Sequence, residues 1–112
     1  MKKDPKLYLL DIVQAIEDIF SHVKGLDKNT FFIDIKSQDA VIRKITIIGK
    51  ATKRLPSALR AREKNVAWKK MMGMRDIVVH DYSEINLMIV WNVIKKDLPG
   101  LKKAVEKILR EL

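Results

Sequence analysis

The chain has 112 residues, 47% of them apolar and 33% charged, with four glycines and three prolines. That balance is ordinary for one folded domain and excludes a disordered or low-complexity chain. There is no cysteine, and His22 and His80 are the two histidines, so disulfides and thiolate chemistry are excluded and neither a metal nor a cofactor is expected. No window approaches the about eighteen uninterrupted apolar residues of a membrane span. Asp11, Glu17 and Asp18 interrupt the N-terminal stretch where a secretory signal would stay apolar, and a cytoplasmic protein with no membrane association is expected.

In chain order, Asp4-Pro5 opens a helix, and Leu9, Ile12, Val13, Ile16, Ile19, Phe20 and Val23 then recur at three- and four-residue spacing up to Gly25. A turn over 26–29 leads to 30–36, read as a short helix, although Phe31, Phe32, Ile33 and Ile35 also suit a strand. Ser37 and Ala40 begin a second long helix with Val41, Ile42, Ile45, Ile48 and Ala51 on one stripe, stopped by Leu55-Pro56. Its β-branched run lowers helix propensity, which packing of the stripe has to offset. A proline-opened short helix is expected over 56–63, then a helix from Asn65 through Ala67, Met71, Met74 and Val78. Asn86 caps a last long helix with Leu87, Val90, Trp91 and Ile94 inward. Pro99 should kink or restart it after Asp97, with Leu101, Val105, Ile108 and Leu112 continuing the stripe. The sum is a single all-α domain over 1–112, a bundle of four to six helices. Met71, Met72, Met74, Trp68 and Trp91 read as core or interface packing, and His22 as a surface histidine.

The net charge of +9 is concentrated in the middle of the chain. From Lys50 to Arg75 nine basic residues face one acid, Glu63, while the rest of the sequence is nearly neutral. A polyanion is the natural partner for such a cluster. The densest group of reactive side chains follows it: MRDIVVHDY at 74–82 holds Arg75, Asp76, His80, Asp81 and Tyr82. Histidine is the side chain whose unperturbed pKa lies near neutrality, so His80 is suited to moving a proton from a ribose 2′-hydroxyl or to a leaving 5′-oxygen. Arg75 is suited to a bidentate grip on phosphate as negative charge develops, and Tyr82 to binding phosphate or base. Asp76 either pairs with a neighbouring cation or orients Arg75 or His80. On an ideal helix Arg75 and Tyr82 share a face, but His80 is turned from Arg75 by ~140°. Either the helix end deforms near Asp81 or a second subunit supplies its own copy across a shared cleft, and the isologous dimer is the favoured expectation.

Arg75, four residues, His80, one residue, Tyr82 resembles the signature of the HEPN superfamily, specifically its HepT-like branch. SQDAVIRKITIIGKATKRLP at 37–56, GMRDIVVHDY within 68–82 and INLMIVWNVIKKDLPGLKKAVEKIL at 85–109 resemble that branch in order and spacing. The resemblance implies an up-and-down helical bundle that dimerises. It also implies a metal-independent endoribonuclease toxin whose arginine and histidine map onto Arg75 and His80, with the polar residue after the arginine mapping onto Asp76. The implied partner is an MNT-type nucleotidyltransferase antitoxin that adenylylates the motif tyrosine, here Tyr82, placing negative charge and bulk where RNA phosphate would bind. On that reading Lys50, Lys53, Arg54, Arg60, Lys69 and Lys70 steer RNA toward the motif by sequence-independent contacts. The chain departs from the branch at Lys50, where an acid commonly follows IIG. Two alternatives stand beside the toxin: a non-catalytic dimeric subunit that binds a nucleotidyltransferase, and a plain basic helical protein that binds nucleic acid.

Overall fold

The computed structural model describes residues 4–79 and 86–112, with the side chains of 75–79 outside the described set. Its first helix, α1 (Pro5–Val23), starts where Asp4 accepts a hydrogen bond from the Lys6 N–H at 2.9 Å, one residue before the proline that fits the first helical position. Leu9, Ile12, Ile16 and Ile19 are wholly buried along one stripe. The chain leaves α1 through Gly25, whose φ of +80° is the left-handed conformation glycine adopts without a side-chain clash.

The following elbow differs from the expected helix over 30–36. Asp27 accepts from the Thr30 N–H at 2.7 Å and starts α2 (Lys28–Ile33). Asp34 accepts from the Ser37 N–H at 3.2 Å and from the Ser37 hydroxyl at 2.9 Å, starting α3 (Ile35–Arg54). Two aspartates competing for backbone N–H groups thus divide the segment, ending one helix and beginning the next inside the span read as one. Both carboxyls lie below the ordinary aspartate range, Asp27 chiefly through the Thr30 N–H and Asp34 chiefly through the Ser37 N–H. The amide of Gln38 closes the elbow by donating to the Phe31 carbonyl at 2.9 Å. Phe31 itself is wholly buried, its ring centroid 5.4 Å from that of Trp91.

Helix α3 returns along α1 and buries Val41, Ile45 and Ile48, so the packed stripe offsets the β-branched propensity cost. The Lys44 ammonium meets Asp18 at 3.0 Å across the pair and, with Gln14, holds that carboxyl below its ordinary range. Leu55-Pro56 ends α3 as expected. The next helix is shorter than the expected 56–63: α4 (Ser57–Arg60) is a single turn that buries Leu59, and turns follow until α5 (Trp68–Val79). The Trp68 indole N–H donates to the Glu63 carbonyl at 2.9 Å and so satisfies the turn backbone. Met71 and Met74 are buried, and α5 packs on α3.

Asn86 starts the last rod, accepting from the Met88 and Ile89 N–H groups at 3.1 and 3.2 Å. The rod comprises α6 (Leu87–Asn92), a π-helical turn (Val93–Asp97) and α7 (Leu98–Glu111). In that turn the Leu98 N–H reaches back five residues to the Val93 carbonyl. Pro99 explains the widening: it has no N–H to donate and its ring crowds the carbonyl four residues before it, so the preceding turn opens instead of breaking. Helix α7 packs along α1, with Lys102 3.7 Å from Glu17.

The described residues therefore form an all-α bundle in which α1 packs against both α3 and α7, and α5 packs on α3 while the Lys70–Asp97 pair links it to the last rod. No helix among them is long and apolar enough to cross a membrane.

Candidate functional site

Arg75 and Asp76 lie on the backbone of α5, within its last two turns; His80, Asp81 and Tyr82 lie outside the described residues, as do the side chains of Arg75 and Asp76. What the structure fixes is the frame on either side. Before the motif, Met71 and Met74 anchor α5 in the core. Arg60 reaches from α4 to the same helix, its guanidinium Nη1 2.9 Å from the Met72 sulfur. After the motif, the Asn86 cap fixes where α6 begins, and the Trp91–Phe31 contact seats that helix. The segment carrying His80 and Tyr82 thus joins two packed helices.

The six cations expected to meet a polyanion do not form one equivalent set. Lys50, Lys53, Arg54 and Lys69 are exposed. Lys53 and Arg54 occupy the last turn of α3, where cations are also favoured by the helix dipole. Lys69 sits in the first turn of α5, where the dipole disfavours a cation by roughly 0.3–1 kcal/mol, so helix stability does not account for it. Lys70 is already engaged, its ammonium 2.7 Å from Asp97 in the π-turn. Arg60 is half-buried, and its Nε has no hydrogen-bond partner among the described residues. Glu63, the single acid in the basic run, is held by Lys107 at 3.3 Å, which takes it out of competition with the exposed lysines. His22 is exposed, as a surface histidine should be.

One polar residue here escaped the sequence reading. Thr52, on α3 between Lys50 and Arg54, is wholly buried with its hydroxyl unpartnered among the described residues. Its position on the apolar stripe, one residue after Ala51, gives no sequence signal beyond a threonine at helical spacing.

The sequence profile of the Ribonuclease HepT-like family matches residues 12–108. The chain is 43% identical, over all its length, to "Gamma-glutamylcyclotransferase and putative RNase MJ0434" of Methanocaldococcus jannaschii, and it spans half the length of that protein. It is 37% identical over 108 residues to "Probable ribonuclease HepT" of Thermococcus cleftensis, covering 96% of this chain and 98% of that one. Among solved structures, the fold is similar to that of a tri-AMPylated Shewanella oneidensis HEPN toxin in complex with MNT antitoxin. The TM-score is 0.71 with 24% identity, covering 98% of this chain and 99% of that one. A helical bundle built around α1, α3, α5 and the last rod, matched almost end to end by one family and by relatives of its own length, places the chain in the HepT-like ribonuclease family.

Proposed function

We propose that the chain is the ribonuclease toxin of a HEPN/MNT toxin–antitoxin pair, cutting RNA without a metal in the cleft of a homodimer. The observation that carries this reading is the family match over 12–108, which encloses Arg75, His80 and Tyr82 in their motif spacing. His80 takes the proton of a ribose 2′-hydroxyl; that oxygen attacks the adjacent phosphorus, the bond to the 5′-oxygen breaks, and the imidazolium returns a proton to the leaving oxygen. The products are a 2′,3′-cyclic phosphate and a 5′-hydroxyl end. Arg75 holds the non-bridging oxygens as charge develops, and Asp76 orients it or His80. Because Arg75 and His80 diverge on a straight helix, a second copy of the motif completes the cleft. Lys50, Lys53, Arg54 and Lys69 supply exposed positive charge that gathers RNA, with Arg60 and Lys70 as the engaged members of the same cluster.

The Shewanella oneidensis relative in fold is tri-AMPylated and bound to an MNT antitoxin. By that analogy an MNT-type nucleotidyltransferase controls this chain by adenylylating Tyr82, which sets a phosphate against Arg75 in place of RNA. The test is cleavage of RNA in EDTA by the wild-type chain and by His80→Ala, after intact-mass measurement of the wild type to establish that Tyr82 carries no nucleotide. EDTA-resistant cleavage that is lost in His80→Ala is the expected result; equal cleavage by both proteins would place the activity elsewhere. Lys50 favours one second reading. If the acid common at that position is needed to tune the histidine, the chain is a dimeric binding subunit of the nucleotidyltransferase. Unmodified protein that cuts no RNA but binds that enzyme would establish this alternative.

A further inference from the structure

A second basic feature lies away from the motif, on the last rod. A groove of about 530 Å³ runs between the segment 63–67 and the rod from the π-turn through α7. Its floor is apolar, formed by Val66, Ala67, Met71, Leu101 and Ala104. Lys96, Gly100, Lys103, Lys107 and Arg110 line the rod side at alternating spacings of four and three, the pattern of one helix face.

The charges along this wall are sorted by the fold. Glu63 is committed to Lys107 at 3.3 Å and Asp97 to Lys70 at 2.7 Å. Among the described residues Lys96, Lys103 and Arg110 have no acidic partner, and Glu106 is the one lining acid left without a cation. The three unpaired cations are seven residues apart, so successive charges lie ~10.5 Å apart along the rod. A Cβ at Gly100 would meet nothing within 4 Å, so the open stretch of wall beside this row is not filled by the chain's own packing. At the floor, Met71 precedes Arg75 by one turn of α5, a backbone rise of ~6 Å.

We propose that this groove is an RNA-strand site: Lys96, Lys103 and Arg110 contact phosphates of a single strand laid along it, extending the bound RNA past the cleaved position. The proposal rests on the ribonuclease reading and names its substrate as single-stranded RNA long enough to reach from the motif onto α7. An acidic segment of a protein partner is the competing occupant. A periodic row of cations favours the strand, which repeats negative charge at regular intervals.

The test uses the full chain carrying His80→Ala, so that RNA survives, and a fluorescein-labelled oligouridylate of about 20 nucleotides, long enough to span a site of about 4–16 nucleotides. Two variants are compared with it: Lys96→Gln/Lys103→Gln/Arg110→Gln, and a control removing three exposed charges elsewhere, Lys24→Gln/Lys28→Gln/Lys36→Gln. Losing three single-strand phosphate contacts lowers the salt slope of log affinity by about 2, so between about 50 and 200 mM salt the groove variant should lose about 16-fold less affinity than its parent. At the low-salt end it should bind at least about tenfold more weakly than the control variant. Equal losses in the two variants would overturn the proposal by showing only the effect of overall charge, and unchanged binding in the groove variant would overturn it outright. Unchanged RNA binding with lost association to the nucleotidyltransferase would give the groove to the protein partner. RNA cleavage by the wild-type chain distinguishes these failures from failure of the ribonuclease reading, in which that chain neither binds nor cuts RNA and this site falls with it.

Discussion

Phe31→Ala tests how the fold holds one end of the motif segment. Phe31 is wholly buried on the six-residue α2 and faces Trp91, whose helix starts just after the motif. Taking about 150 Å² of apolar surface for a buried phenylalanine at about 25 cal/mol per Å² gives ~4 kcal/mol, within the ~3–5 kcal/mol measured for such truncations. The aromatic pairing accounts for a further ~0.5–1.5 kcal/mol, part of which Phe31→Leu should lose while keeping most of the volume. A domain of this length has a total stability of about 6–17 kcal/mol, so Phe31→Ala should remain folded but lose a large share of its margin. In urea titrations followed by circular dichroism, an m-value of about 2 kcal/mol per M converts the loss to a midpoint lower by about 2 M. Trp91 emission should shift in the folded variant, because its ring loses a neighbour. A loss under about 1 kcal/mol with unaltered emission would refute the claim that Phe31 seats α6.

Asn86→Ala removes the side-chain acceptor for two N–H groups at the start of α6 and should cost ~1 kcal/mol, a fall in Tm of about 4–8 °C by calorimetry. Acid should weaken the elbow before it affects Asn86. The carboxyls of Asp27 and Asp34 titrate lower folded than unfolded, so their stabilisation is complete above the ordinary aspartate pKa near 4 and is lost as pH falls through the lower folded values. Asp34→Asn keeps a good cap without a titrating group, and its urea midpoint should depend less on pH below about 4 than the wild type's. A double-mutant cycle on Lys70→Ala and Asp97→Ala should give a coupling of no more than ~0.5 kcal/mol, because the pair is partly exposed and screened, and it should shrink further in high salt.

The long helices were legible because their signals are local. Asp4-Pro5, the α1 stripe, the Leu55-Pro56 stop and the Asn86 cap each act within a few residues, and each appears where the sequence puts it. The elbow was misread because Asp27 and Asp34 are ordinary polar residues until the backbone shows which N–H groups they accept from. The short helix after Pro56 was overextended because proline marks a start and says nothing about length; only Leu59 is buried on it, too little to hold further turns. At the site, sequence identified the cations but not their partners. Lys70 and Arg60 look like Lys69 and Lys53 in a charge count, and only the fold shows one bound to Asp97 and the other laid against Met72. The row Lys96, Lys103, Arg110 was hidden for the converse reason. Asp97, Glu106 and Glu111 offset three of the five cations over 96–111 in the sequence, while in space Asp97 belongs to Lys70.

The π-turn at Val93–Asp97 divides the last rod into parts with different attachments. Upstream, α6 is tied to α2 through Trp91 and Phe31; downstream, α7 lies along α1. Pro99 removes one backbone donor at the join, and a widened turn has weaker hydrogen-bond geometry than the helix on either side. Amide exchange should therefore change abruptly there, slow through α7 and faster through α6 and α2. Protection that falls together in those two elements would mark them as one opening unit distinct from α1, α3 and α7. The segment carrying Arg75, His80 and Tyr82 precedes α6 in the chain, so such an opening would release one of its two moorings without unfolding the domain.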